Sequence, residues 1–225
     1  MGMLSGRTAI ISGAGTGLGR AAAVVFAGEG AVVALVGRRR TKLEETAAMI
    51  AQHGMGSALV VPADVSDERQ VGLAVETVMA ATGRIDILVN NAAVFEPGRV
   101  AEMTEAEWTL QLAVNLTGPF LLTKAVIPAM RKARYGRIVN ITSGLAGNGA
   151  GGYAAYSASK AGLESLTRTV ADEESGSGII ANLFNPGTIR SEMHATGKDP
   201  RLVAPDLLKL AAVPPGGPSG TLVSH

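Results

Sequence analysis

The chain has 225 residues, with 20 lysines and arginines against 19 aspartates and glutamates, 47% hydrophobic residues and no cysteine. At roughly 150 residues per domain that length predicts one domain, and a net charge of +1 gives no electrostatic footprint for nucleic acid or an anionic membrane surface. The apolar content is enough for a core and excludes disorder as the main state. The missing cysteines exclude disulfides, thiolate zinc sites and cysteine nucleophiles, and three isolated histidines (His53, His194, His225) assemble no metal site.

Along the chain, apolar runs alternate with helical patterns. Thr8–Ser12, Ala31–Val36, Ser57–Pro62, Ile85–Asn90, Gly136–Thr142 and Ile179–Asn185 are expected strands. They are continuous rather than alternating, as in strands covered on both faces. Helices are expected near 17–28, 40–53, 67–82, 104–132 and 155–174, with Ser66-Asp67-Glu68 and Thr104-Glu105 supplying caps and acids at helix starts. A short helix over Ala204–Ala212 and an edge strand over Gly220–Val223 complete the chain. Strict β–α alternation implies parallel strands joined by right-handed crossovers, hence a doubly wound α/β sheet in a single domain. No stretch reaches the ~18–20 uninterrupted apolar residues of a membrane span. The N-terminus MGMLSGRTAIISG lacks the basic and apolar regions of an export signal. A cytoplasmic protein without nucleic-acid or membrane partners is expected.

The first strand runs into Ser12-Gly13-Ala14-Gly15-Thr16-Gly17-Leu18-Gly19 and then a helix. Glycines allow a tight turn and a close approach of backbone to a pyrophosphate, and the helix N-terminus offers free N–H groups. Such a turn is also found for structural reasons alone; its place between a first strand and a first helix favours binding. The second strand ends in Val36-Gly37-Arg38-Arg39-Arg40, with no acid to pair a ribose 2′-hydroxyl. A guanidinium there suits a 2′-phosphate and favours NADP over NAD. The other reading, a solvated charge run opening the next helix, fits at least one of the three arginines.

Tyr156-Ser157-Ala158-Ser159-Lys160 places tyrosine and lysine one turn apart on one helix face. A neighbouring ammonium favours phenolate, so the tyrosine pKa is expected to fall from ~10 toward working pH. That tyrosine could then exchange the proton of a carbonyl/alcohol pair. Ser143 closes the strand that precedes it, at the sheet edge where ligands bind. Taken alone, a Tyr-x3-Lys pair is common on helix surfaces.

Ser12-Gly13-x3-Gly17-x-Gly19, Asn90-Asn91-Ala92-Ala93, Asn115, Ser143, Tyr156-x3-Lys160 and Asn185-Pro186-Gly187 together resemble the short-chain dehydrogenase/reductase family. The resemblance is to its shorter single-domain branch, which holds 3-oxoacyl-carrier-protein reductases, and covers about residues 5–190. It implies a sheet of strand order 3-2-1-4-5-6-7 and an NAD(P)(H)-dependent carbonyl/alcohol oxidoreductase acting on a small molecule. By that resemblance Tyr156 is the general acid/base, Ser143 orients the substrate oxygen, and Lys160 binds the nicotinamide ribose and lowers the tyrosine pKa. Asn115 is the fourth member, its carbonyl holding a water that links Lys160 to solvent. Gly13, Gly15, Thr16, Gly17, Leu18 and Gly19 form the phosphate turn, with Arg38 at the ribose. Asp64 and Val65 meet adenine, Asn91 and Ala93 support the cofactor, and Pro186, Gly187 and Ile189 flank the carboxamide. A homodimer through helices 104–132 and 155–174 is implied, with a tetramer possible.

Covalent chemistry bears on Asn115. Pro119 has no N–H to offer the carbonyl four residues earlier, so a kink and an unpaired Asn115 carbonyl are expected. Pro128 does the same to Lys124, where no function is seen. Other positions keep plain readings beside the functional ones. Asp64 could be an ordinary polar loop residue, Asn90-Asn91 a turn, and Met49, Met79, Met103 and Met130 core fillers. His194 is read as a solvated loop histidine, and Tyr153 as a pocket or packing residue. The sequence departs from the family in Ala93, where glycine is usual, and in a brief 190–225 segment that puts tetramer packing and pocket closure in question. A cofactor-bound sensor without turnover is the alternative; a longer epimerase-type enzyme lacks room for its substrate domain.

Overall fold

The computed structural model describes residues 2–53, 56–192 and 194–225. Seven parallel strands form one sheet in the order β3-β2-β1-β4-β5-β6-β7. They are β1 Thr8–Ser12, β2 Val32–Gly37, β3 Ser57–Pro62, β4 Ile87–Asn90, β5 Gly136–Ile141, β6 Ile179–Asn185 and β7 Leu222–Ser224. All residues of β1, β4 and β5 are buried, which is why their sequences run apolar without alternation.

Helices α1 (Gly17–Gly28), α2 (Arg40–His53) and α8 (Pro200–Ala211) cover one face. Helices α3 (Glu68–Thr82), α5 (Gly118–Ala133) and α7 (Ala154–Glu173) cover the other. Alanines make the α1 interface: Ala21, Ala22, Ala23 and Ala27 are buried beside Phe26, so the helix lies close to the sheet. Two helices complete the set, α4 (Glu105–Leu112), with a full capping box between Thr104 and Glu107, and the short α6 (Leu145–Asn148).

The sequence-expected elements shift most at four places. The expected strand Ile85–Asn90 begins only at Ile87, although the Asp86 backbone still bonds Thr8 and Arg137 on either side and its carboxylate accepts from Thr8 N–H and pairs with Arg7 and Arg84. The helix expected from Ala204 starts four residues earlier, where Asp199 caps Arg201 N–H and Pro200 fills the first turn. The edge strand is Leu222–Ser224 rather than Gly220–Val223. The single helix expected over 104–132 is α4 and α5 joined through a π turn at Ala113–Thr117, closed by Gly118 N–H donating to the Ala113 carbonyl. The interruption expected from Pro119 therefore takes the form of a π turn, whereas at Pro128 α5 stays α-helical. The combined stretch Glu105–Ala133 is long and apolar enough to cross a membrane by length and composition. Half of its most apolar window is buried within this molecule.

The strand order reverses between β1 and β4. At their C-terminal ends the chain leaves in opposite directions and a crevice opens, the place where open α/β sheets take ligands.

Candidate active site

The glycine turn after β1 forms one wall of that crevice. Gly13 and Gly17 have φ of +66° and +52°, which side-chain-bearing residues rarely adopt. A Cβ on Gly19 would lie 2.3 Å from the Gly13 carbonyl oxygen, so the glycine lets α1 begin directly against the turn. Asn91 braces the same turn, its Nδ2 donating to the Ser12 and Gly13 carbonyls at 3.0 and 3.3 Å. Arg20, not singled out in the sequence, holds the turn from the other side, with Nε 2.8 Å from the Gly15 carbonyl oxygen.

These residues fit a dinucleotide. Thr16 at the N-cap of α1 makes no side-chain cap, and the first turn carries no acid. The amide donors at that end are left for an anion. A cleft of about 1100 Å³ runs from Arg38, Asp64 and Val65 at one end, past Gly13, Gly15, Thr16, Gly17 and Leu18, to Ser143, Tyr156 and Lys160 at the other. Asn91, Ala93, Pro186, Gly187 and Ile189 also line it. Gly19 and Asn115 do not; both act from beneath the surface.

The three arginines separate. Arg38 lines the cleft, exposed and without a hydrogen bond or ion pair among the described residues. Arg39 also lines it and pairs with Glu192 at 2.6 Å across the opening. Arg40 points away and meets Glu44, the solvated member the sequence anticipates. Asp64 lines the cleft, but its Oδ1 accepts from Ser66 N–H and Oγ–H at 2.9 and 2.7 Å, as a turn-forming aspartate does.

At the opposite end, Tyr156 lies in the first turns of α7 and is hydrogen-bonded to Ser143, two residues beyond β5. Lys160 is almost completely buried, and its Nζ donates to the Ile141 carbonyl at 2.8 Å. Burial depresses its ammonium to about 8. Burial also pushes the Tyr156 phenol above its ordinary value near 10, against the opposing pull of the Ser143 hydrogen bond. This corrects the expectation of a lowered tyrosine pKa. The ammonium, 5.6 Å from the ring centroid, is turned to a backbone carbonyl, and desolvation of the phenolate outweighs it. Tyr156 is thus a neutral phenol at neutral pH.

Asn115 sits inside the π turn, fully buried. Its side chain clasps Val94 and donates to Ser159 Oγ at 3.2 Å, while Ser159 donates to the Tyr156 carbonyl at 2.7 Å. Asn115 therefore ties the loop after β4 to the helix carrying Tyr156 and Lys160. The sequence reading missed Phe95 in that loop. Its ring stacks on Tyr153, meets Tyr156 edge-on and lies beside His194. His194 is accordingly half-buried in the cleft, not free in solvent.

A doubly wound parallel sheet with a glycine turn at its switch point and a Ser–Tyr–Lys group at the facing edge defines a nicotinamide-dependent oxidoreductase. The chain belongs to the short chain dehydrogenase family, whose pattern matches residues 7–201. It is 38% identical to a 3-oxoacyl-[acyl-carrier-protein] reductase of Synechocystis over 193 residues, 84% of this chain and 77% of that protein. It is 35% identical to the corresponding reductase FabG of Escherichia coli, over 84% of this chain and 75% of the other. A solved metagenomic short-chain oxidoreductase in complex with NADP superposes with a TM-score of 0.90 at 35% identity, covering 99% of this chain and 98% of that one. Levodione reductase superposes with 0.92 at 29% identity, over 98% and 96%. The protein is an NAD(P)-dependent enzyme interconverting carbonyls and alcohols.

Proposed function

We propose that Tyr156 is the general acid/base of this reaction, and that its hydrogen bond with Ser143 inside the cleft marks where the substrate oxygen is held. That contact carries the reading: a neutral phenol and a hydroxyl together can bind a carbonyl oxygen from two directions. Tyr156 gives its proton as the oxygen gains charge, and takes it back when an alcohol is oxidised. Ser143 orients the oxygen. Lys160 places positive charge beneath the phenol and stabilises the phenolate left behind. The nicotinamide, once bound, supplies or accepts the hydride.

The cofactor would be held by Gly13, Gly15, Thr16, Gly17 and Leu18 at its phosphates and by Asp64 and Val65 at the adenine. Lys160 would hold the nicotinamide ribose, and Pro186, Gly187 and Ile189 the carboxamide. Asn91, Ala93 and Gly19 would shape that channel. NADP(H) is preferred over NAD(H), since Arg38 presents a guanidinium, unpaired among the described residues, where a 2′-phosphate would reach. The NADP complex of a structural neighbour supports this choice.

The whole chain acts as one catalytic domain, with 190–225 as substrate loop and C-terminal segment. The enzyme is cytoplasmic, acts on a small carbonyl or alcohol without nucleic acid or membrane, and forms a homodimer through α4, α5 and α7. Exposed Trp108, Leu110 and Phe120 on those helices support the dimer. A sensor without turnover finds no support among relatives that are reductases by name.

The experiment is Tyr156→Phe. Loss of the proton donor should lower kcat by about 10²–10⁴-fold, while reduced-nicotinamide fluorescence shows the cofactor still bound. Full activity in the variant on a verified substrate would overturn the assignment.

A further inference from the structure

The substrate end of the cleft is walled by rings from three separate segments. Phe95 follows β4, Tyr153 begins α7, and His194 lies in the loop between β6 and α8. Phe95 stacks on Tyr153 with centroids 5.0 Å apart and planes within 12°, meets Tyr156 at 5.4 Å and 76°, and lies 5.7 Å from the His194 ring. The Phe95 segment is fixed by its backbone: Val94 is clasped by Asn115, and Gly98 N–H donates to the Gly152 carbonyl at 3.0 Å. The His194 segment is closed by the bridge between Ile189 and Lys198. A cluster of rings thus stands beside Tyr156 in the cleft lining.

Charge is distributed one-sidedly along the same cleft. Arg38, Arg39 and Lys42 line the adenosine end. Among the described lining residues the substrate end has no arginine, and its one lysine, Lys160, is buried and bonded to the Ile141 carbonyl. The remaining ionisable lining groups there are His194 and the carboxylate of Glu96. An anionic tail entering from this end would lose hydration and meet no free cation among the described lining residues, the nearby Lys198 being bonded to the His225 carbonyl. A neutral planar group would lose little and gain stacking contact.

We propose that the enzyme's substrates are uncharged, planar aromatic ketones and the matching secondary alcohols, laid against Phe95 and Tyr153 with the oxygen at Tyr156. This deepens the oxidoreductase reading above and rests on it. Anionic acyl thioesters are disfavoured, although relatives of this chain are named for them.

The test compares kcat/KM for an uncharged aryl methyl ketone, an alicyclic ketone of matched size and acetoacetyl-coenzyme A. Each is measured in the unaltered protein, in Phe95→Ala and in Phe95→Leu, with thermal unfolding as the folding control. The aryl ketone should lead both others by about tenfold or more, the scale of one well-filled apolar contact. Both variants should erase that lead, the leucine keeping apolar bulk without the ring. A lead for the thioester, or an equal loss on both neutral ketones, overturns the proposal. Calorimetry of the aryl ketone with NADP-saturated Tyr156→Phe protein separates binding from chemistry, because that variant keeps its ring. If no carbonyl is turned over, the oxidoreductase reading fails. The ring wall then stands if ketone binding weakens when Phe95→Leu is added, and falls if binding is unchanged.

Discussion

Asn115 and Val94 are joined by a reciprocal pair of hydrogen bonds, Val94 N–H to Asn115 Oδ1 at 2.8 Å and Asn115 Nδ2 to the Val94 carbonyl at 2.9 Å. One buried amide thereby completes the backbone pairing that β4 leaves off at Asn90. Asn115→Ala removes both partners, and each buried group left unpaired costs ~1–3 kcal/mol. Urea unfolding should show a loss of at least about 2 kcal/mol, with KM for the carbonyl rising as Phe95 loses its anchor. An unchanged unfolding midpoint would mean that the clasp contributes nothing.

Lys160 gives a pH prediction with a definite sign. Its folded pKa is lowered by burial to about 8 from 10.5, so between those values the unfolded chain binds more protons than the folded one. Stability should therefore rise with pH across that window, by up to roughly 3 kcal/mol, as the buried ammonium is neutralised. Lys160→Met should lack the rise. Catalysis runs the opposite way: carbonyl reduction should fall above about pH 8 in kcat/KM as the charge beneath Tyr156 disappears. Lys160→Arg, charged throughout, should move that inflection out of range. Identical profiles for lysine and arginine would assign the inflection elsewhere.

Two glycine-to-alanine changes should have opposite effects. At Gly19 the new Cβ would sit 2.3 Å from the Gly13 carbonyl oxygen and 2.5 Å from Asn91 Nδ2, so α1 must move. A loss of ~1–3 kcal/mol is expected, the usual scale of overpacking, together with weakened cofactor binding. At Gly72, inside α3, nothing lies within 4 Å, and alanine should stabilise by up to ~1 kcal/mol through helix propensity. Guanidinium unfolding of both variants decides the matter, and equal shifts would contradict it.

Arg38→Ala tests the cofactor preference. Losing a charged contact worth ~1.5–3 kcal/mol should weaken NADPH about 10- to 100-fold, and leave NADH within a factor of a few. Titration by reduced-nicotinamide fluorescence reads both. An unaltered ratio of the two affinities would move the 2′-phosphate contact away from Arg38.

Much of the architecture was legible in the chain because parallel strands buried on both faces are written as unbroken apolar runs, as in Thr8–Ser12 and Ile179–Asn185. Tyr156, Lys160 and the glycine turn were legible because their spacing is local. Phe95, Tyr153 and His194 belong to three distant segments, and no local pattern announces that their rings meet. Lys160 lines the same cleft as Tyr156, as the spacing suggests, but its effect on the tyrosine is not legible in that spacing. Proximity on a helix face says nothing about burial, and burial decides both pKa shifts. Asp199-Pro200 did carry a signal for the start of α8, a capping acid followed by proline, that the shorter expected helix passed over.

The π turn at Ala113–Thr117 has a consequence for how this chain tolerates change in length. Each α-helical residue advances about 100° around the axis. Removing one residue from this turn would rotate everything before it against everything after it by about that angle. Asn115 could then face Val94, or Leu121, Leu122, Val126 and Met130 could face the sheet, but not all at once. The turn acts as a phase offset between two helical halves with different duties, one aligned on the loop after β4 and the other on the core. Its residue count is therefore more constrained than its composition. Single substitutions at the half-exposed Ala113 and Leu116 should be absorbed, whereas a one-residue deletion there would separate the stability of the core from the geometry of the site.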